Sequence, residues 1–175
     1  MRHLTVLILC VTGLALAACE TVPPPPPPPP PAPPPSASVF RSSDFAWSAI
    51  PGPNRIDGRV VYRQGATTFT CPRAALIPET PFTARRMITL YGSPVGAIVP
   101  LAEVQKRTTP APPEMDSFVR AAACDAQGRF SFSNLPDGSW FVITIGQPTG
   151  GSTAAPMALM RRVLTRGGRA VVIDL

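Results

Sequence analysis

An all-β, antiparallel sandwich of about seven strands, with one short helix and one long loop, is the fold class this sequence predicts. Three observations predict it. Apolar residues between 39 and 175 come in short bursts, several of them alternating with polar residues. Turn signals built from Gly, Pro and Asp separate those bursts. Long amphipathic repeats of helical period are scarce. The chain has 25 Pro among its 175 residues, but one dense run of them ends at Pro35. Residues 39–175 therefore remain for a single packed core.

Taken in order, residues 55–63 alternate around Ile56, Val60 and Tyr62 and predict a first strand. Residues 66–71 and 74–77 predict two short strands separated by Cys71-Pro72-Arg73. Thr83 reads as the N-cap of a helix over 84–91, with Gly92 as its C′ residue. Phe82 and Met87 then stand at hydrophobic-staple spacing. Residues 93–114 are Pro-rich and patternless, which predicts a long loop. A strand over 117–124 ends at the turn Asp125-Ala126-Gln127-Gly128, and 129–133 place Phe130 and Phe132 on one face. Pro136-Asp137-Gly138 predicts another turn. Residues 140–145 and 157–164 read as strands, and Gly167-Gly168 leads into a last strand over 170–175.

The N-terminus carries a different message. Met1-Arg2-His3 is a basic start, and the apolar run over 4–18 is shorter than the roughly 20 residues of a spanning helix. Together with small residues before a cleavage point this predicts a secretory signal peptide over residues 1–18. Leu16-Ala17-Ala18-Cys19 resembles the lipobox of bacterial lipoproteins, in which the Cys is freed by cleavage and acylated. The resemblance implies lipidation at Cys19 and a membrane partner through that anchor. Glu20 in place of Asp implies, by the same analogy, transport to an outer membrane, with the protein facing the periplasm. Residues 19–38 then form the lipidated start and a spacer. Its run over 23–35 lacks N–H donors and predicts polyproline II, about 3.1 Å per residue or roughly 40 Å in all. The alternative, a ligand for a Pro-recognising groove, lacks flanking specificity residues.

Two segments of the 39–175 region carry a second resemblance. Asn54-Arg55-Ile56-Asp57-Gly58 is one. The other runs from Cys124 to Trp140 as Asp125-Ala126-Gln127-Gly128, Phe130-Ser131-Phe132, Leu135-Pro136-Asp137-Gly138 and an aromatic. Together they resemble carboxypeptidase-regulatory-like modules, which implies a transthyretin-like (prealbumin-like) seven-stranded sandwich with an accessory or structural role. The segment over 71–117 exceeds a minimal module and leaves the strand order there open.

Composition narrows the function. The one His, His3, falls in the predicted signal peptide, so Ser-His-Asp and Cys-His catalysis and His-ligated zinc are not expected. No enzyme activity, cofactor or metal is expected. Cys71 and Cys124 remain after Cys19 is lipidated, and an even pair in an exported chain predicts a disulfide. The formal charge is +6, and basic residues are almost all Arg. Arg85 and Arg86, placed in the first turn of the predicted helix, are candidate anion-binding residues. Arg161, Arg162, Arg166 and Arg169 form a second basic cluster. Trp47 is a candidate platform for glycan stacking, whereas Trp140 reads as core. The resulting expectation is a noncatalytic envelope lipoprotein presenting a sandwich on a rigid spacer. Its partner would be an envelope protein or, alternatively, peptidoglycan or another glycan. Nucleic acid is not expected.

Overall fold

The computed structural model describes residues 39–108 and 110–175. The expected signal peptide over 1–18, the lipidation at Cys19 and the spacer over 19–38 lie outside the described residues.

The described chain is a β-sandwich with a helical layer. Its strands are β1 (Asn54–Arg59), β2 (Arg63–Gln64), β3 (Thr67–Thr70), β4 (Arg73–Pro78), β5 (Gly96–Pro100), β6 (Arg120–Ala123), β7 (Arg129–Leu135), β8 (Gly138–Pro148), β9 (Met157–Thr165) and β10 (Ala170–Asp174). Two α-helices, α1 (Pro81–Tyr91) and α2 (Leu101–Arg107), and two 3₁₀ helices (Ser42–Ala49 and Pro113–Phe118) complete it. A three-stranded sheet runs β10-β1-β7, and a seven-stranded sheet is built around β8, with β4 on one side and β9 on the other.

Strand β8 explains the layering. Its run Trp140-Phe141-Val142-Ile143 is apolar without alternation, as expected of a strand buried on both faces. Trp140 and Val142 pack with Ile56, Phe130, Phe132 and Leu135 between the sheets. Phe141 and Ile143 face the other way, into a second core with Met87, Leu90 and Tyr91 of α1 and Val104 of α2. Strand β9 divides likewise, Leu159 and Val163 going to the first core and Ala158 and Met160 to the second.

Four expectations are corrected. First, the long loop over 93–114 contains β5 and α2 and the start of a 3₁₀ helix. Its apolar residues are spaced to cover the outer face of the large sheet, which a single-core reading had no reason to demand. Second, α1 begins three residues early. Thr80 is the N-cap and Pro81 takes N1, where its missing N–H costs nothing. Thr83 is the N3 partner of a capping box: its N–H donates to Thr80 Oγ1 at 3.1 Å, and the Thr80 N–H donates to Thr83 Oγ1 at 2.8 Å. The helix closes as expected at Gly92, with φ of 73°. Third, the strand expected over 117–124 starts only at Arg120, because Pro112 and Pro113 open a 3₁₀ turn before it. Fourth, the sandwich is not purely antiparallel. β1 and β10 pair in parallel because the chain leaves the large sheet after β9 and returns beside β1 in the small one.

The break at Cys71-Pro72 is a bulge. Between Thr70↔Gln147 and Ala74↔Thr144 the β3–β4 strand takes four steps to three on β8. Cys71 is bonded there to Cys124, 53 residues away, as the sequence predicts. The Cys124 N–H donates to the Pro72 carbonyl at 3.1 Å. The bridge ties the bulge to the end of β6, where the chain passes from the large sheet to the small one. Closing a loop of this size stabilises by about 4 kcal/mol on chain entropy.

The motif residues Asn54, which is buried, and Asp137, which is exposed, form a polar knot. Asn54 Nδ2 donates to the Leu135 carbonyl at 3.0 Å and to Asp137 Oδ1 at 2.9 Å. Its Oδ1 accepts from the N–H groups of Gly168 and Arg169 at 2.8 and 3.2 Å, and Asp137 Oδ1 accepts from Gly167 N–H at 3.0 Å. Three chain segments are thereby joined at one end of the sandwich. Among the described residues, no buried side-chain N or O lacks a hydrogen-bond partner.

Candidate functional site

The small sheet turns one face to the core and leaves the other uncovered. Alternation sends Ile56 inward and Arg55, Asp57 and Arg59 outward on β1. On β7 it sends Arg129 and Ser131 outward, and on β10 Val172 and Asp174. The register arranges these residues in rows. Asp57 stands between Val172 and Ser131, and Arg59 stands between Asp174 and Arg129.

The charges on this face pair with one another. Arg59 donates to Asp174 through Nε at 2.7 Å and Nη2 at 3.4 Å. Arg55 lies 2.7 Å from Asp57. Arg129 Nε donates to Asp125 Oδ2 at 2.8 Å, while Asp125 Oδ1 accepts from the backbone N–H groups of Gln127 and Arg129 at 2.9 and 2.8 Å. The Arg129 backbone N–H and then its side chain hold the Asp125 carboxyl below the usual carboxylate range. The Arg59 hydrogen bond does the same to Asp174, and in return raises Arg59. All of these groups are open to water, so the pairs orient the side chains more than they stabilise the fold.

A groove of about 640 Å³ crosses the face. Asp57, Arg59, Arg129 and Ser131 supply polar groups along it, and Val172 on β10, Ala123 at the end of β6 and Cys124 just beyond supply apolar ones. Gly58 keeps the inner side compact, since a Cβ there would collide with the Phe130 ring.

The site residues expected from the sequence go elsewhere. Arg85 and Arg86 lie in the second turn of α1, not the first, because the helix starts at Pro81. Two N–H groups at the helix start are engaged locally: Thr83 N–H on Thr80 Oγ1, and Ala84 N–H on the Thr80 carbonyl at 2.9 Å. Trp47 is half-buried at the end of the first core, edge-on to Trp140 at 4.9 Å and 63°. Its ring occupies the space that a Cβ at Gly138 would need. Arg120 reinforces that corner, donating through Nη2 to the Ser48 carbonyl at 2.7 Å and lying 5.5 Å over the Trp140 ring. Strand alternation splits the second basic cluster. Arg161 Nη1 donates to the Asp174 carbonyl at 2.8 Å, whereas Arg162 pairs with Glu79 at 2.6 Å on the other side of the large sheet. Among the described residues, no three His, Cys, Asp or Glu side chains gather as a metal site would require. The open face was missed in the sequence, although Arg55-Ile56-Asp57-Gly58-Arg59 and Arg129-Phe130-Ser131-Phe132-Ser133 spell it out.

No protein-family model matches the chain, and no curated protein matches it. Solved structures do. One, from Pseudomonas aeruginosa, is described as a "putative carbohydrate binding protein". It is 21% identical, with a TM-score of 0.57, and the match covers 78% of this chain and 97% of that one. Another is a minor pilin of Streptococcus agalactiae, at 12% identity and a TM-score of 0.33, covering 69% of this chain and 49% of the pilin. The first likeness shows a shared β-rich sandwich fold, and the second is too distant to add to it.

Proposed function

We propose that the chain is a noncatalytic lipoprotein of the cell envelope whose sandwich head contacts envelope glycan. In this reading Cys19 holds the lipid, residues 19–38 keep the head away from the bilayer, and the protein faces the periplasm from the outer membrane. The sandwich is of the transthyretin-like, carboxypeptidase-regulatory-like type, on the strength of the motif whose Asn54 and Asp137 form the polar knot.

The observation that carries the reading is how the polar groups are distributed. The buried ones, such as Asn54, Thr83 and Thr165, serve caps, turns and strand ends. Three ion pairs, Arg55–Asp57, Arg59–Asp174 and Arg129–Asp125, are gathered on and beside one uncovered sheet face, a surface suited to contact rather than to bond-breaking. Likeness in fold to a protein described as carbohydrate-binding favours glycan over a protein partner.

Two measurements test this. Metabolic labelling with palmitate should mark the wild type and not Cys19→Ser. The purified protein should co-sediment with cell-wall sacculi. Labelling that survives Cys19→Ser removes the anchor, and a protein left in the supernatant at every salt concentration removes the glycan partner.

A further inference from the structure

We propose that the groove across the open face of the small sheet seats an uncharged glycan segment, a proposal that rests on the glycan reading above. The argument begins with charge. Arg55, Arg59 and Arg129 face Asp57, Asp174 and Asp125 in three close pairs, so the charges along the groove balance pair by pair although the chain as a whole is basic. A polyanion would have to pull the guanidinium groups from their carboxylates. An uncharged polyhydroxyl chain has no such cost. Each hydroxyl can donate to a carboxylate and accept from a guanidinium N–H at once, and paired ions hold both in fixed directions.

Shape points the same way. Sugar rings are polar around the edge and apolar on their C–H faces. The groove sets Arg59, Arg129 and Ser131 beside the apolar groups of Val172 and Ala123, within the volume range of ordinary ligand sites. Val172, on the edge strand β10 beside Asp57, is 76% exposed, and a ring face laid on it would remove that area from water.

The rival surface is β5, the edge strand beside β9, where a peptide strand could add. It is guarded at both ends. Ser93 Oγ accepts from the N–H groups of Val95 and Gly96 at 3.2 Å each, and Pro100 has no N–H to offer.

The test uses the full-length chain in detergent micelles, with a tetramer of N-acetylglucosamine as the uncharged probe, polygalacturonate as the charged one, and sacculi alongside. The tetramer should bind by calorimetry, with affinity changing less than about twofold between roughly 50 and 500 mM salt. Ser131→Trp, which fills the groove from an outward strand position, and Arg59→Gln should each weaken tetramer and sacculus binding by at least about tenfold. Trp47→Ala, with the fold intact by circular dichroism, should not. Sacculus binding that both groove variants retain overturns the site and leaves the glycan reading standing. Preference for polygalacturonate with a steep salt dependence overturns the uncharged ligand. A wild type that binds neither tetramer nor sacculi overturns both proposals.

Discussion

The two sheets of the sandwich treat their outer faces in opposite ways. The large sheet buries its outer face under α1 and α2, with Phe141 fully excluded from water. The small sheet leaves its outer face open and fills it with ion pairs. The difference is written in the strands themselves. Trp140-Phe141-Val142-Ile143 is apolar on both sides and demands two partners, whereas Arg55-Ile56-Asp57 is apolar on one side and demands one. Contact with another molecule is therefore available to the small sheet and spent, in the large one, on the chain's own helices.

The sharpest way to break this comparison is Phe141→Ala. It should cost about 3–5 kcal/mol in denaturant unfolding, because it empties the second core. A cost below about 1 kcal/mol would mean that the helical layer is not anchored as described. Asn54→Ala should cost about 2–3 kcal/mol, leaving the Gly168 and Arg169 N–H groups and the Leu135 carbonyl without their partner.

The faces should also respond to opposite ends of the pH scale. Burial of the last residue of α1 in the second core pushes Tyr91 up to about 12. The unfolded chain ionises near 10, so this stability is intact below pH 10 and falls by about 2–3 kcal/mol as pH rises through 12. Tyr91→Phe should abolish that loss in alkaline melts. On the open face, Asp125 and Asp174 are depressed. Their contribution is present above the ordinary Asp range and lost as pH falls through their lowered values, which acid titration by NMR would register at these two carboxyls. The smallest effect is expected of Val172→Thr, within about 0.5 kcal/mol, since nothing in the fold covers that residue. A larger loss would show that the face is not open.

Much of this architecture was legible. The turn at Asp125 to Gly128, the alternation of Phe130 and Phe132 and the buried strand from Trp140 follow from local patterns, and the Cys71–Cys124 bridge follows from the cysteine count. The start of α1 was also open to reading, because Thr80-Pro81 is a stronger start signal than Thr83 alone. What escaped was non-local. Nothing in residues 93–107 announces a strand and a helix until Phe141, Ile143 and Met160 are seen to need cover. Arg85 and Arg86 moved out of the first turn through the same three-residue error. Trp47 was legible as an aromatic before the first strand, but its partner, Trp140, lies 93 positions later in the sequence.

The aromatic entry to the head has a mechanical consequence. Phe40 lies against Phe45 and Phe82, Phe45 stacks on Phe118 at 4.7 Å, and Trp47 wedges against Trp140 while Arg120 grips the Ser48 carbonyl. Tension entering at residue 39 meets this plug before it reaches any strand. The first slack released would be the 40–53 segment, about 45 Å of chain. β1, whose hydrogen bonds run to β7 and β10, carries load only after that. Under such a pull the entry segment would lengthen first, while both sheets remain closed.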